Sequence, residues 1–180
     1  MLKKLDKLQV EYIYNKYMTV DFPEDELKPL SHMKRMMDEG ICSAYALYDG
    51  EDMQSYFFLC EFDGYVLVDY LAVNPQKRGE GIGTKTLDLL RDIAKDKVIL
   101  VECEDVCFSP NDNEKTTRER RIAFYERAGF RLSGVKTKLF GVRYVILTYP
   151  ENAPDAENGL KNVYCQMLGK ELFDKNFEVC

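Results

Sequence analysis

From Tyr65 to Glu104 the chain reads "YVLVDYLAV", "NPQKRGEGIG", "TKTLDLLRDIAKD" and "KVILVECE". These are an apolar run, a turn punctuated by glycine, a helical period and a second apolar run. Neither apolar run alternates as a half-covered strand does, so each reads as a strand buried on both faces. A strand, a helix and a second strand in succession make a parallel step, because a crossover of that length returns the chain to the same end of the sheet. This unit places the chain in the α/β class, and the flanking segments must fit around it.

Upstream, "KLQVEYIYNKY" sets Val10, Ile13, Tyr14 and Tyr17 at helical spacing. "DFPEDEL" breaks that helix, since Pro23 fixes its own backbone and restricts Phe22. A second amphipathic helix is expected over roughly Asp25 to Asp38, ended by Glu39-Gly40. "CSAYALYD" and "MQSYFFLCEF" read as strands joined at "DGED", a hairpin signal. Downstream, "NEKTTRERRIAFYERAG" is a helix stopped by Gly129, and "VKTKLFG" with "RYVILTYP" forms a closing hairpin. The surface loop "ENAPDAENG" leads to an appended helix at about 158–174. The parallel step thus sits inside an otherwise antiparallel, mixed α/β sheet, and residues 1–180 read as a single domain.

Composition narrows the partners. A chain of 180 residues buries roughly 70% of its unfolded surface, enough for a real core. With 31 acidic against 25 basic residues and a net charge of −6, nucleic acid is not an expected partner. No apolar run reaches the ~20 residues of a membrane helix, and "MLKKLDKLQVEYIYNKY" is not a secretory signal. The six cysteines form no framework, and Cys103 with Cys107 has no second pair or histidine beside it. The expectation is therefore no metal and reduced thiols in a cytoplasmic protein.

The glycine turn, Gly79, Gly81 and Gly83, has the character of a phosphate loop. The mononucleotide pattern G-x-x-x-x-G-K-S/T, started at Gly79, needs glycine where Thr84 stands. The dinucleotide pattern G-x-G-x-x-G needs glycine at Thr84 or Thr86. Neither closes. The physics of phosphate binding is met all the same: a helix N-terminus offers free N–H groups and partial positive charge. The glycines let main chain approach phosphate oxygens, and Lys77 and Arg78 add charge from the flank.

The strand "VDYLAVNP", the loop "QKRGEGIG" and the later helix ending "FYERAGF" resemble the GNAT superfamily of acyl-CoA-dependent N-acyltransferases. Its loop signature, Q/R-x-x-G-x-G/A, is matched by Gln76-Lys77-Arg78-Gly79-Glu80-Gly81. The resemblance covers roughly Phe22 to Pro150 and implies a mostly antiparallel mixed sheet, flanked by helices, whose central parallel strands splay apart. It implies acetyl-CoA as acyl donor, with the pantetheine arm on main chain around Leu71, Ala72 and Val73. The diphosphate would then lie on amides from Arg78 through Gly79, Glu80, Gly81, Ile82 and Gly83 to Thr84.

The implied reaction is attack of a primary amine on the thioester in a ternary complex. An alkylamine is about one part in a thousand neutral at pH 7, and reaching that form costs about 4–5 kcal/mol, so a base matters. Tyr125 is the implied general acid, a phenol that remains a donor across neutral pH. Asp69, a carboxylate inside an apolar strand, is the candidate base. Related sequences often carry glutamate there, so the shorter aspartate favours a water relay. Glu102 and Glu104 on the second strand compete for the role. Arg118 stands where many relatives have an asparagine touching the CoA arm, and either it or Arg121 is suited to a CoA phosphate. Asp21, Glu24, Asp25 and Glu26 offer negative charge to a cationic acceptor, whereas His32 reads as incidental. The acceptor is open among small amines, peptide N-termini and lysine side chains, and the chain reads as a monomer or homodimer. The alternatives are a catalytically silent acyl-CoA-binding regulatory module on the same fold and, more distantly, a nucleotide-phosphate enzyme.

Overall fold

The computed structural model describes residues 1–151 and 153–180. Asn152, in the expected surface loop, and the side chain of Asp25, in the expected acidic cluster, lie outside the described residues. Strand β1 (Leu2–Lys4) precedes helix α1 (Lys7–Ile13). Asp6 caps α1 by accepting from the N–H groups of Leu8 and Gln9 at 2.9 and 2.8 Å, while the Gln9 side chain accepts from the Asp6 N–H. The expected helix over 7–17 does not stay α-helical throughout: it widens into a π-helical turn, Tyr14–Met18, and closes as α2 (Thr19–Asp21). Helix α3 (Leu30–Asp38) begins five residues later than the expected Asp25. Pro29 is the cause, since it disfavours helical backbone at Lys28 and lacks an N–H. Glu24–Glu26 form a separate 3-10 turn.

Strands β2 (Cys42–Asp49) and β3 (Asp52–Phe62) form the expected hairpin. Then come β4 (Tyr65–Val73), a 3-10 turn (Pro75–Lys77), α4 (Ile82–Ile93) and β5 (Val98–Glu104). Helix α5 (Asp112–Arg127) leads to the hairpin β6 (Arg131–Leu139) and β7 (Val142–Tyr149). The appended helix is two helices, α6 (Ala156–Leu168) and α7 (Lys170–Asn176), divided at Gly169 and followed by β8 (Phe177–Val179). Among the described residues eight strands form one sheet in the order β1-β2-β3-β4-β5-β7-β6-β8, mostly antiparallel, with β4 and β5 parallel. Among the described residues no helix is long and apolar enough to cross a membrane.

The chain weaves two compact units, Met1–Cys60 with Asp69–Leu90, and Glu61–Val68 with Arg91–Cys180. The first buries Val10, Met18, Met33, Phe57, Phe58 and Leu87. The second buries Leu67, Ile99, Phe130, Leu147, Val163 and Tyr164. In the second unit α6 passes so close to the start of β4 that a Cβ on Gly159 would lie 2.2 Å from the Tyr65 ring. Glycine is the residue that permits that approach. The parallel ladder runs from Tyr65 opposite Val98 to Val68 opposite Val101 and stops, although β4 continues to Val73 and β5 to Glu104.

One expectation from composition is overturned. The thiols are not all reduced: Cys42 and Cys60 face each other in the β2–β3 ladder with Cα atoms 4.2 Å apart, and their sulfurs are bonded. That spacing belongs to the closer, non-hydrogen-bonded class of antiparallel pair, where side chains meet most readily. Cys103, Cys107, Cys165 and Cys180 are free.

Candidate active site

The glycine loop is built outward from Asn74. Its N–H donates to the Gln54 carbonyl at 2.9 Å, and its side-chain amide donates to the Met53 carbonyl at 3.2 Å. Its side-chain oxygen accepts from the Gln76 N–H at 3.1 Å, which starts the turn into Pro75–Lys77. Gly79 and Gly81 then take φ of 86° and 80°, values open to glycine and strained for other residues. A Cβ on either would meet nothing within 4 Å, so the backbone bend and not crowding demands glycine there. Gly83 is ordinary helical backbone inside α4, so only two of the three expected glycines shape the loop.

At the start of α4 the first intrahelical donor is Lys85, whose N–H reaches the Gly81 carbonyl at 3.0 Å. The N–H groups of Gly81, Ile82, Gly83 and Thr84 precede any intrahelical acceptor and have no other partner among the described residues. This is the group of donors a diphosphate requires. The helix end is anchored from behind: the buried Thr86 hydroxyl donates to the Ile82 carbonyl at 2.8 Å and accepts from the Ser55 hydroxyl at 2.7 Å. Lys77 lies 3.9 Å from Glu80, and Arg78 is exposed. What the loop offers an anionic group is therefore its amides first and its side chains second.

On β4, just before this loop, the Asp69 side chain is only 3% exposed. One carboxylate oxygen, Oδ1, accepts from the Lys28 ammonium at 2.6 Å, while Oδ2 is buried with no hydrogen-bond partner among the described residues. Lys28 also lies over the Tyr70 ring, 5.0 Å from its centroid. The backbone around Lys28 is pinned. Its N–H donates to the Tyr70 hydroxyl at 2.9 Å, its carbonyl accepts from the Tyr14 hydroxyl at 3.1 Å, and Tyr70 donates onward to the Glu26 carbonyl at 2.9 Å. Burial pushes the Tyr70 phenol up to about 12, so it stays a donor. Phe22 meets the same ring edge-on at 5.0 Å, and Asp21 accepts from the Tyr56 hydroxyl at 2.7 Å. The sulfurs of Cys42 and Cys60 and an Asp69 oxygen lie within 4.8 Å of one another. With the sulfurs bonded to each other, they have no thiolate to offer a metal.

Tyr125, Glu102, Glu104, Arg118 and Arg121 belong to the second unit, whereas Glu24, Glu26 and His32 belong to the first. Tyr125 lies on α5, 7% exposed, packed at 5.2 and 5.5 Å against the rings of Phe124 and Phe130. Burial lifts its phenol well above the usual tyrosine range. Its hydroxyl makes no hydrogen bond among the described residues. Glu102 accepts from the Tyr164 hydroxyl of α6. Glu104 is held by Arg121 and has the Arg118 guanidinium 4.0 Å away. Arg118, the expected CoA contact, also donates to the Asp105 carbonyl at 2.9 Å and is 14% exposed. Both arginines, on α5, are thus engaged with the end of β5 and the residue after it. Burial alone would raise the Asp105 carboxyl, but hydrogen bonds from Lys136 and the Cys107 N–H outweigh it and hold the group low. Cys103, fully buried, has its thiol pushed up to about 12 by desolvation and offers no nucleophile.

Asp69, the main chain Leu71–Val73 and the loop Lys77–Thr84 therefore fall on consecutive elements of one unit, as the sequence order requires. Sequence reasoning missed Lys28, Ser55, Asn74 and Thr86. Asn74 carried a readable signal, an asparagine before proline at a strand end. The other three act through partners 31 or more residues away, which periodicity does not register.

The acetyltransferase (GNAT) domain family matches residues 40–132, just over half of the chain. YjbC of Bacillus subtilis (strain 168) is 34% identical over 110 residues, 61% of this chain and 52% of that protein. The chain spans about half the length of that curated relative. Among solved structures, a GNAT-family protein from Bacteroides thetaiotaomicron superposes with a TM-score of 0.74 at 20% identity, covering 91% of this chain and 94% of that one. An aminoglycoside 6'-N-acetyltransferase complexed with coenzyme A gives a TM-score of 0.58 at 16% identity, with 82% and 95% covered. At these identities the two structures speak for the fold. The domain match over residues 40–132, containing the whole strand–glycine loop–helix unit, decides the family: the chain belongs to the GNAT acetyltransferases.

Proposed function

We propose that the chain is an N-acetyltransferase that moves an acetyl group from acetyl-CoA to a primary amine by direct attack. The observation that carries this reading is the set of unpartnered amides at Gly81–Thr84, directly after a strand bearing a buried carboxylate, in a GNAT domain. The thioester of acetyl-CoA supplies the activated acyl group. Gly81–Thr84 hold the diphosphate on main-chain N–H groups, and Leu71–Val73 offer the β4 main chain to the pantetheine amides. Asp69 takes the proton of the acceptor ammonium, with its unpartnered Oδ2 as the available lone pair. Tyr125, kept protonated by burial, supplies a proton to the departing thiolate.

A thiol-release assay over a panel of primary amines, run beside calorimetry with CoA and with ATP, tests the reading. Turnover with at least one amine and binding of CoA but not ATP are expected. A folded protein that ignores CoA overturns it.

A further inference from the structure

The carboxylate proposed as base already holds a primary ammonium, and it is the chain's own. Lys28 Nζ lies 2.6 Å from Asp69 Oδ1 over the face of Tyr70, the surroundings an acceptor alkylammonium would need. We propose that Lys28 is itself an acetyl acceptor and that the protein acetylates its own Lys28. This rests on the reading of Asp69 as base and acetyl-CoA as donor.

Three observations support it. The backbone of Lys28 is fixed by hydrogen bonds to Tyr14 and Tyr70, so its amine is presented to Asp69 by a held main chain. Holding a nucleophile in place removes the entropic barrier that a free amine meets. The proton has a short path, since Nζ and Oδ1 are already hydrogen-bonded and transfer leaves the pair with no change in net charge. The side chain is 17% exposed, whereas the other ion-paired lysines among the described residues are 30% exposed or more, so chemistry from bulk solvent disfavours it.

The step balances. Lys28 Nζ gives a proton to Asp69 and its lone pair forms a C–N bond to the thioester carbonyl carbon. The C–S bond breaks with its electrons going to sulfur, the second N–H proton leaves nitrogen as the amide forms and ends on that sulfur, and Asp69 releases its proton to solvent. The products are Nε-acetyl-Lys28 and free CoA thiol. The modified side chain is uncharged, so Asp69 loses its counter-cation.

The test compares two acetylating reagents on the full chain with no added amine. Trace labelling with acetic anhydride, without CoA, ranks lysines by exposure and is expected to place Lys28 low. Incubation with isotope-labelled acetyl-CoA is expected to invert that order, giving one acetyl group per chain, mapped to Lys28 by peptide mass spectrometry. Lys28→Arg, which keeps the cation, removes the label, and Asp69→Asn slows labelling by at least about tenfold, each with thermal unfolding to verify the fold. If acetyl-CoA labels lysines in the anhydride order, or leaves Lys28 untouched while external amines are turned over, the inference is wrong and the acetyltransferase reading stands. If CoA does not bind and no amine is turned over, the reading itself falls and takes the inference with it.

Discussion

Asp69 and Glu104 are both strand carboxylates with side chains less than a tenth exposed, and both are ion-paired, yet their partners differ in kind. Asp69 meets one lysine, brought from a non-helical segment and bound through a single oxygen. An ammonium is a point charge that another ammonium can replace. Glu104 lies between two arginines of a 16-residue helix, one of them also bonded to main chain. A guanidinium fork held this way is a clamp. The first arrangement leaves a carboxylate oxygen unused, whereas the second commits the acid to joining a helix to a strand. A buried ion pair is therefore no guide to function until its partner's replaceability has been asked.

Two substitutions should separate the pairs most sharply. Asp69→Asn is expected to lower kcat by about 10²–10⁴-fold and to cost about 2–4 kcal/mol, since Lys28 keeps a mostly buried charge, read by amine turnover and urea unfolding. Glu104→Gln should cost about as much, because Arg118 also keeps a mostly buried charge, while kcat falls less than about threefold. If Glu104→Gln abolishes turnover in a stable protein, the comparison is broken.

Tyr125 sharpens the contrast, because it belongs to the same unit as the Glu104 clamp and is still assigned a chemical role. Tyr125→Phe is expected to lower kcat by about 10²-fold without unfolding the chain. Since its folded value is raised, the phenol should cause no loss of kcat between roughly pH 8 and pH 10, where an ordinary tyrosine begins to ionise. A fall centred near pH 10 in the native protein that vanishes in Tyr125→Phe would contradict the burial argument.

Gly81→Ala tests the loop. A side chain at φ of 80° should weaken CoA binding by about tenfold and cost about 1 kcal/mol of stability, by calorimetry and thermal unfolding. The smallest effect concerns Asp105, whose folded value is depressed. Its contribution is present above the unfolded carboxyl value, near about pH 4, and is lost as pH falls through the lower folded value. Asp105→Asn should flatten the acid limb of stability there and leave neutral turnover unchanged.

The parts that could be read in advance were those set by local pattern. The two apolar strands, the glycine turn and the hairpin at Gly50 all follow from spacing within a few residues. The expected helix start at Asp25 failed because the acidic run resembles a helix N-terminus, while Pro29 acts against it from downstream. The disulfide was hidden by a single irregularity. Continuing the register of the turn would set Cys42 against Leu59, and the one-residue shift between Leu47 and Tyr48 brings Cys60 opposite instead. Lys28 and Asp69 lie 41 residues apart, and nothing in their local surroundings announces the other. The loop of the candidate site was therefore legible, and the groups that surround its carboxylate were not.

The outermost strands, β1 and β8, are each three residues long, and Lys3, Lys4 and Glu178 on them are exposed. A sheet margin recruits foreign strands in proportion to the run of idle amides and carbonyls it displays, and charge repels a flat newcomer. Neither outermost strand is by itself a seam long enough to seed lateral growth, so three charged residues and brevity together discourage a foreign strand from adding to β1 or β8.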